Sequence, residues 1–217
     1  MKVRQHFKYR RSLLYIVGLN TLALGTVLFA CGKLGVSALV SVPQVLSLFL
    51  PITLGEATTI IFVILVAFEL LMLRKWQWQV VAQLALAFIF AWIVDFYGLR
   101  VGLEKISLTM LWEQVLVTCL AIVFTSLGIF MMVKADFVLI PPDGVVNIVS
   151  AKLRVTFGKI KLRFDLTMII ISIILSLIFL KHIAAIGIGT VLAVLLVGQL
   201  INFWEYLFVA HEATHEF

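Results

Sequence analysis

The chain has 217 residues, of which 63% are hydrophobic and 13% are charged, and its mean hydropathy is +1.17. These values exclude a soluble globular domain and a disordered chain, because neither combines so much apolar surface with so little charge. They indicate a polytopic membrane protein. In such a protein, membrane topology is the first explanation to consider for the net charge of +6. We therefore expect no nucleic-acid partner.

Six runs are apolar and long enough to cross a membrane, since a spanning helix needs roughly 20 residues. The predicted spans are Leu13–Cys31, Ala57–Leu73, Val80–Leu99, Val115–Val133, Leu166–Leu180 and Ile183–Phe208. A seventh run, Leu34–Leu54, is interrupted by Pro43 and Pro51. Because proline breaks helices, we do not expect this run to span the membrane.

Basic residues predict the orientation, because cytoplasmic loops retain Lys and Arg and translocated loops lose them. With the N-terminus inside, 13 of the 17 Lys and Arg residues lie on the cytoplasmic side, in 1–12, 74–75 and 134–163. This asymmetry accounts for the positive charge. We therefore predict a multi-pass protein of the bacterial cytoplasmic (inner) membrane with both termini cytoplasmic, the C-terminal tail being 209–217.

Two copies of one pattern, 12–100 and 109–208, are predicted within a single membrane domain that covers 1–217. Each copy has a span, a proline-marked segment, a span, a tight loop and a longer span. The anchors pair Pro43 with Pro142, Glu56 with Asp165, and Asp95 with Asn202. Three spans per copy is an odd number, so the copies would enter the membrane in opposite orientations.

The predicted fold class is therefore an all-α polytopic membrane protein of six transmembrane helices, arranged as two inverted three-helix repeats. Each repeat carries a proline-marked segment that is re-entrant or interfacial. Chance similarity among leucine-rich helices is the alternative to a repeat. For the second segment, surface helices on anionic lipid are an alternative to insertion, because Lys152, Arg154, Lys159 and Lys161 would suit it. Asp143 is predicted to cap the helix in that segment.

Polar residues that interrupt the apolar pattern are the candidate substrate-binding residues. Glu56 and Asp165 are predicted at the N-termini of equivalent spans, where a carboxylate either caps the helix or binds a cation, an amine or a proton. Lys161 lies four residues before Asp165 and could pair with it. The full set is Pro43, Gln44, Glu56, Thr58, Asp95, Pro142, Asp143, Asp165, Thr167, Gln199 and Asn202.

Two further acids lie inside predicted spans near their ends. Glu69 is within two turns of Arg74 and Lys75, so pairing at the interface is at least as good an interpretation as a transport role. Asp95 is the more interesting, because its partner Asn202 lies in a polar row that would be hard to leave facing lipid.

Three other features bear on function. Gly187, Gly189 and Thr190 indicate close helix packing, with anion binding by free N–H groups as the alternative. His211, Glu212 and His215 match a zinc-protease pattern, but with no third ligand downstream we expect no metal. The remaining histidines are His6 and His182, at an end and in a loop, so no nucleophile and base combine in the membrane; we expect neither an enzyme nor a cofactor.

Several strings resemble the YitT/YczE-like group of bacterial membrane proteins over nearly the whole chain. They are Leu34-Gly35-Val36-Ser37 running to Pro43, Phe157-Gly158-Lys159-Ile160-Lys161 running to Asp165, and Gly187-Ile188-Gly189-Thr190. The group commonly has a Gly-Thr pair before the last span and a Pro-Gly turn after the fourth. This chain keeps Gly189-Thr190 but has Pro142-Asp143-Gly144. The resemblance implies a transporter architecture and no catalytic residues.

The leading functional prediction is a small transporter or facilitator for an unidentified small solute, with its site between the repeats. The alternative is a non-transporting membrane module that binds lipid or a partner protein at the cytoplasmic face through 152–163. Membrane lipids and a small solute are the expected partners, and a homodimer is possible.

Overall fold

The computed structural model describes the backbone of residues 2–75, 77–106 and 108–214, and the side chains of 11–75, 77–103, 105–106 and 108–208. These residues form helices and no strands, and the prediction of an all-α fold is confirmed. The helices are α1 Lys2–Gly32, α2 Ala38–Phe49, α3 Leu54–Leu73, α4 Trp78–Asp95, α5 Leu111–Ala135, α6 Pro141–Leu153, α7 Phe157–Phe179 and α8 Ile188–Thr214. A π-helical turn, Phe96–Arg100, extends α4.

Six of the described helices are long and apolar enough to cross a membrane, which confirms the predicted number of spans. The largest errors in predicted boundaries are at two helix starts, since α1 begins at Lys2 and not at Leu13, and α7 begins at Phe157 and not at Leu166. The residues between these positions are basic and remain helical, because Lys and Arg are good helix formers. α8 begins at Ile188, five residues after the predicted Ile183, because a turn occupies 181–187.

The two proline-marked segments form the short helices α2 and α6, and both pack among the long helices. Ala38–Pro43 and Val45 are buried in α2, which contacts α3 and α7. Pro43 lies within α2, and the Ser172 hydroxyl donates a hydrogen bond of 3.0 Å to the nearby Ser41 carbonyl. In α6 the first half, Pro141–Val146, is buried, whereas the end of the helix is exposed. A helix lying wholly on a surface is therefore the wrong interpretation for α6.

The two halves have helices at corresponding positions. α1 and α5 end at Gly32 and Ala135, α2 and α6 begin at Ala38 and Pro141, and α3 and α7 begin at Leu54 and Phe157, always 103 residues apart. The contacts also correspond, since α2 packs on α3 and α7 whereas α6 packs on α7 and α3. This spacing places position 56 opposite 159 and not opposite Asp165, so the anchors paired from the sequence are not structural equivalents.

The most extensive helix contact joins α1 and α5, which run antiparallel. A Cβ at Gly18 would lie 3.1 Å from the Gly128 carbonyl oxygen, and a Cβ at Gly25 would lie 3.1 Å from the Ala121 carbonyl oxygen. Position 121 follows 18 by 103 residues, and 128 follows 25 by the same spacing, so these two contacts are equivalent. An antiparallel contact of this kind is compatible with the predicted inverted repeat.

The loop before α8 meets the end of α1 at close range. Gly35 has a φ of +109° and lies against Gly187, where a side chain would collide with backbone. The N–H groups of Gly187 and Gly189 donate to Thr190 Oγ1 at 3.3 Å and to the Leu34 carbonyl at 2.8 Å. Close packing is therefore the role of these glycines, and the alternative of free N–H groups for an anion is wrong.

Candidate functional site

Three ionisable side chains meet in the interior where α6 begins beside α7. Lys161 Nζ lies 2.8 Å from Asp165 Oδ1 and 3.3 Å from Asp143 Oδ1, and each of the three side chains is at most 6% exposed. We call Asp143, Lys161 and Asp165 the charge cluster. With all three ionised it carries two negative charges and one positive charge. It ties the short helix α6 to α7 through buried ion pairs.

The positions of the two acids differ from those predicted. Asp143 is the third residue of α6, whose N-cap is Ile140, because the prolines at 141 and 142 begin the helix. Asp165 is the ninth residue of α7, so it cannot cap that helix. The expected pairing of Lys161 with Asp165 is confirmed. Lys161 is consequently buried, and its predicted role in contacting anionic lipid is wrong.

A second buried polar pair joins α3 to α4 beside the same short helix. Gln83 Nε2 donates a hydrogen bond of 2.9 Å to Glu69 Oε2, and Glu69 is completely buried. Gly144 of α6 lies against this pair, with no room for a Cβ beside Glu69 Oε1. Glu69 was interpreted as an interfacial partner of Arg74 and Lys75. That interpretation is wrong, because α6 folds back over the carboxylate and shields it.

Glu69 and Gln83 lie at the inner end of a cavity of about 330 Å³. The exposed Gln77, Gln79 and Asp136 line its outer part, where the α3–α4 and α5–α6 loops end, and Asn147 of α6 is also exposed there. Asp136 is neutralised by Arg11, whose Nη2 lies 2.9 Å from Asp136 Oδ2. We call this space the Glu69 cavity. Its mouth is exposed to solvent, and the fully buried Glu69 carboxylate lies at its inner wall beneath α6.

The acids at the other end of α3 have a capping role. Glu56 accepts the Thr53 N–H at 2.8 Å while Thr53 Oγ1 accepts the Glu56 N–H at 3.0 Å, which is a capping box. Asp95 accepts from Thr53 Oγ1 and from the Gly55 N–H, both at 3.2 Å. The capping interpretation of Glu56 is confirmed. Together these groups accept three N–H groups at the start of α3, those of Thr53, Gly55 and Glu56.

A family model for a family of unknown function, DUF6198, matches residues 9–206 of the chain. The chain belongs to the DUF6198 family. No curated protein and no solved structure matches it. The family assignment covers every element of the two sites described above and adds no substrate or activity to them.

The family match also spans the other predicted site residues, which the structure does not bring to either site. Thr167, Gln199 and Asn202 are exposed, and so is Glu205 in the same row of α8. Thr58 is buried, and its hydroxyl donates to the Leu54 carbonyl within α3. Pro43 and Gln44 belong to α2, and Pro142 precedes Asp143 in the first turn of α6. None of these residues lines the Glu69 cavity.

Metal binding has no candidate among the described side chains, where no group of three His, Cys, Asp or Glu residues could hold an ion. His211, Glu212 and His215 lie outside the residues whose side chains are described. Cys31 is buried and Cys119 is exposed, and no disulfide joins them.

Gln83 and Gly144 are site residues that the sequence reasoning missed, and Gln83 had a detectable signal. Glu69 lies four residues before the end of the second predicted span, and Gln83 lies three residues after the start of the third, so both are near the tight loop between these spans. In an antiparallel helix hairpin, positions equidistant from the turn face each other, so this pairing was predictable. The contact with Gly144 was not predictable, because it depends on α6 packing against α3, a helix far earlier in the chain.

Proposed function

We propose that the protein transports a small solute, or facilitates its passage, and that the Glu69 cavity is the substrate site. The observation that carries this proposal is a fully buried carboxylate at the inner end of a solvent-exposed cavity. Ionisable groups are costly within membrane-spanning helices and are retained mainly where they act on a substrate, an ion or a partner group. The cavity volume of about 330 Å³ lies at the lower end of the range for small-molecule sites.

The location of the cavity supports transport over a passive structural role. Its walls come from α3 and α4 of the first half and from the α5–α6 region of the second half. Many secondary transporters place their site between inverted repeats, at a helix that ends within the protein. α6 is such a helix here, held against α7 by the charge cluster. The resemblance to the YitT/YczE-like group agrees with this proposal.

Uptake into proteoliposomes tests the proposal. We expect one or more of radiolabelled methylammonium, glycine and glycerol to enter vesicles that contain the protein faster than protein-free vesicles. Glu69→Gln should remove most of this difference, because it deletes the charge and keeps the shape. Gln199→Ala, on the exposed face of α8, is the matched control and should leave uptake unchanged. Equal uptake with and without protein for every solute would contradict transport.

Lipid binding is a second candidate function, and an apolar groove favours it. The groove has a volume of about 500 Å³ between α3, α6 and α7, and its only charged lining residue among those described is Arg163. An acyl chain in the groove would place a phosphate near that guanidinium. Arg163→Ala should then reduce the anionic phospholipid that copurifies with the protein, measured by mass spectrometry. An unchanged lipid content would leave Arg163 with a role in topology alone.

A further inference from the structure

We infer that the Glu69 cavity selects small cations that carry N–H donors, such as primary ammonium ions. This inference rests on the proposed function for its role in transport, but the binding itself does not depend on transport. Three observations support it. The cavity contains unpaired hydrogen-bond acceptors, its lining has no basic partner for Glu69, and the start of α6 has few free N–H groups.

The unpaired groups at the inner end of the cavity are acceptors. Glu69 Oε1 and Gln83 Oε1 are both buried, and neither has a hydrogen-bond partner among the described residues. The single bond between the two side chains runs from Gln83 Nε2 to Glu69 Oε2, so the Gln83 amide oxygen remains available. A buried acceptor without a donor costs roughly 1–3 kcal/mol, and more when it is charged. A ligand that supplies several N–H donors removes this cost at both oxygens.

The charge around the cavity also favours a cation. Among the described residues that line it there is no Lys or Arg, and Asp136 at the mouth is already paired with Arg11. Glu69 therefore lacks a basic partner within the cavity. Charge-assisted hydrogen bonds to a carboxylate are about twice as strong as neutral ones. A neutral alcohol or amide would leave the carboxylate charge uncompensated, whereas an ammonium ion neutralises it.

The start of α6 lies at the cavity and would ordinarily attract an anion through its free N–H groups. Here those groups are almost absent. Pro141 and Pro142 have no N–H, and the Gly144 N–H donates to the Ile140 carbonyl at 2.9 Å. Only the Asp143 N–H remains in the first turn, on a residue whose own carboxylate belongs to the charge cluster. The helix terminus therefore gives an anion little to bind.

Thermal unfolding of the purified protein in detergent tests the inference. Methylammonium and ethanolammonium chlorides are the probes, with sodium and potassium chlorides and neutral ethylene glycol for comparison. We expect the two ammonium salts to raise Tm saturably and the other three to give no saturable rise, since a ligand that binds only the folded state stabilises it. In Glu69→Gln the half-saturating concentration should increase at least about tenfold, as expected for loss of a charged hydrogen-bond partner.

Two further variants keep the result interpretable. Glu56→Gln neutralises an exposed acid at the opposite end of α3 and should retain the full ammonium response. Gln83→Met removes the second acceptor at similar volume and should weaken the ammonium response. It serves as the test if Glu69→Gln does not fold. An equal response to alkali chlorides, a response only to ethylene glycol, or an unaltered response in Glu69→Gln would each overturn the inference.

The two proposals fail in different ways. Saturable ammonium binding without uptake by proteoliposomes would uphold the selectivity of the cavity and reject transport. Uptake of glycine or glycerol that depends on Glu69, with no ammonium response in Tm, would uphold transport and reject the selectivity.

Discussion

At the scale of single residues, we expect the three members of the charge cluster to differ in how well they tolerate substitution. It contains two carboxylates and one ammonium group, all buried, so its net charge is −1 when all three are ionised. Removing Lys161 would leave two buried acids facing each other. Removing the charge of Asp165 would leave one balanced pair, Lys161 with Asp143. Buried ion pairs are weak as net stabilisers, but breaking one leaves an uncompensated charge.

We therefore expect Lys161→Met to be far more destabilising than Asp165→Asn. Loss of the only cation should lower stability by about 3–5 kcal/mol, whereas the amide retains the shape and balances the charge. Thermal unfolding of both variants in the same detergent measures the difference. A Tm for Lys161→Met equal to or above that of Asp165→Asn would show that the cluster does not need its cation.

Contacts of individual side chains were the part of the structure least predictable from the sequence. The spacing of Lys161 and Asp165 predicted their pairing, because residues four apart face each other on a helix. The burial of Glu69 could not be predicted, since a local pattern that ends in Arg74 and Lys75 indicates an interface. What covers Glu69 is α6, whose position depends on contacts between the two halves.

At the scale of helices, the packing of α6 against α3 and α4 depends on the absence of a side chain at Gly144. A Cβ there would lie 2.6 Å from Gln83 Nε2 and would collide with the Glu69 carboxylate. Gly198 on α8 provides a comparison, since a Cβ at that position would lie 3.3 Å from the Gly158 carbonyl oxygen and needs only a small adjustment.

Gly144→Ala should therefore destabilise the protein by about 1–3 kcal/mol, the usual cost of overpacking. It should also abolish the ammonium response, because the added methyl displaces both acceptors. Gly198→Ala, the matched control, should cost less and retain the response, as measured by Tm with and without methylammonium. Retention of the full response in Gly144→Ala would mean that α6 can move away from α3 at little cost.

The spanning helices could be located from the sequence, but the residues at which they begin and end could not. Length and hydrophobicity identify a spanning segment because the thickness of the bilayer sets both. The ends depend on capping and on polar residues that continue a helix beyond the apolar run, as the basic first turns of α7 do. The short helices α2 and α6 are apolar for part of their length and contain proline, so their packing among the spans had to come from tertiary contacts.

At the scale of the whole molecule, the distribution of basic residues predicts which way the Glu69 cavity faces. Asn147 lies beside the mouth of the cavity, at the end of α3 opposite Thr53. The excess of Lys and Arg in the loops near Asn147 indicates the cytoplasmic side. The cavity would thus face the cytoplasm, and the capping box of Thr53 and Glu56 would face outward.

Cysteine labelling checks this orientation. The background is Cys119→Ser, because Cys119 is exposed whereas Cys31 is buried. Asn147→Cys should react with an impermeant maleimide from the cytoplasmic side only, and Thr53→Cys should react from the outer side only. Methylammonium should slow the reaction at position 147 and not at position 53. Reaction of residue 147 from outside intact cells would reverse the topology.

The hydrogen bond from Ser172 to the Ser41 carbonyl corresponds to a contact of different chemistry between α3 and α6. Positions 69 and 144 correspond to 172 and 41 by the spacing of 103 residues, so Glu69 beside Gly144 occupies the same place. A neutral hydroxyl donates a hydrogen bond to the first short helix, whereas the second packs against a carboxylate that the proposed cation would neutralise. If the protein is a carrier that alternates between two faces, its two short helices would then be held by interactions of unequal strength. Its resting population would favour one face, and ligand binding would shift that balance.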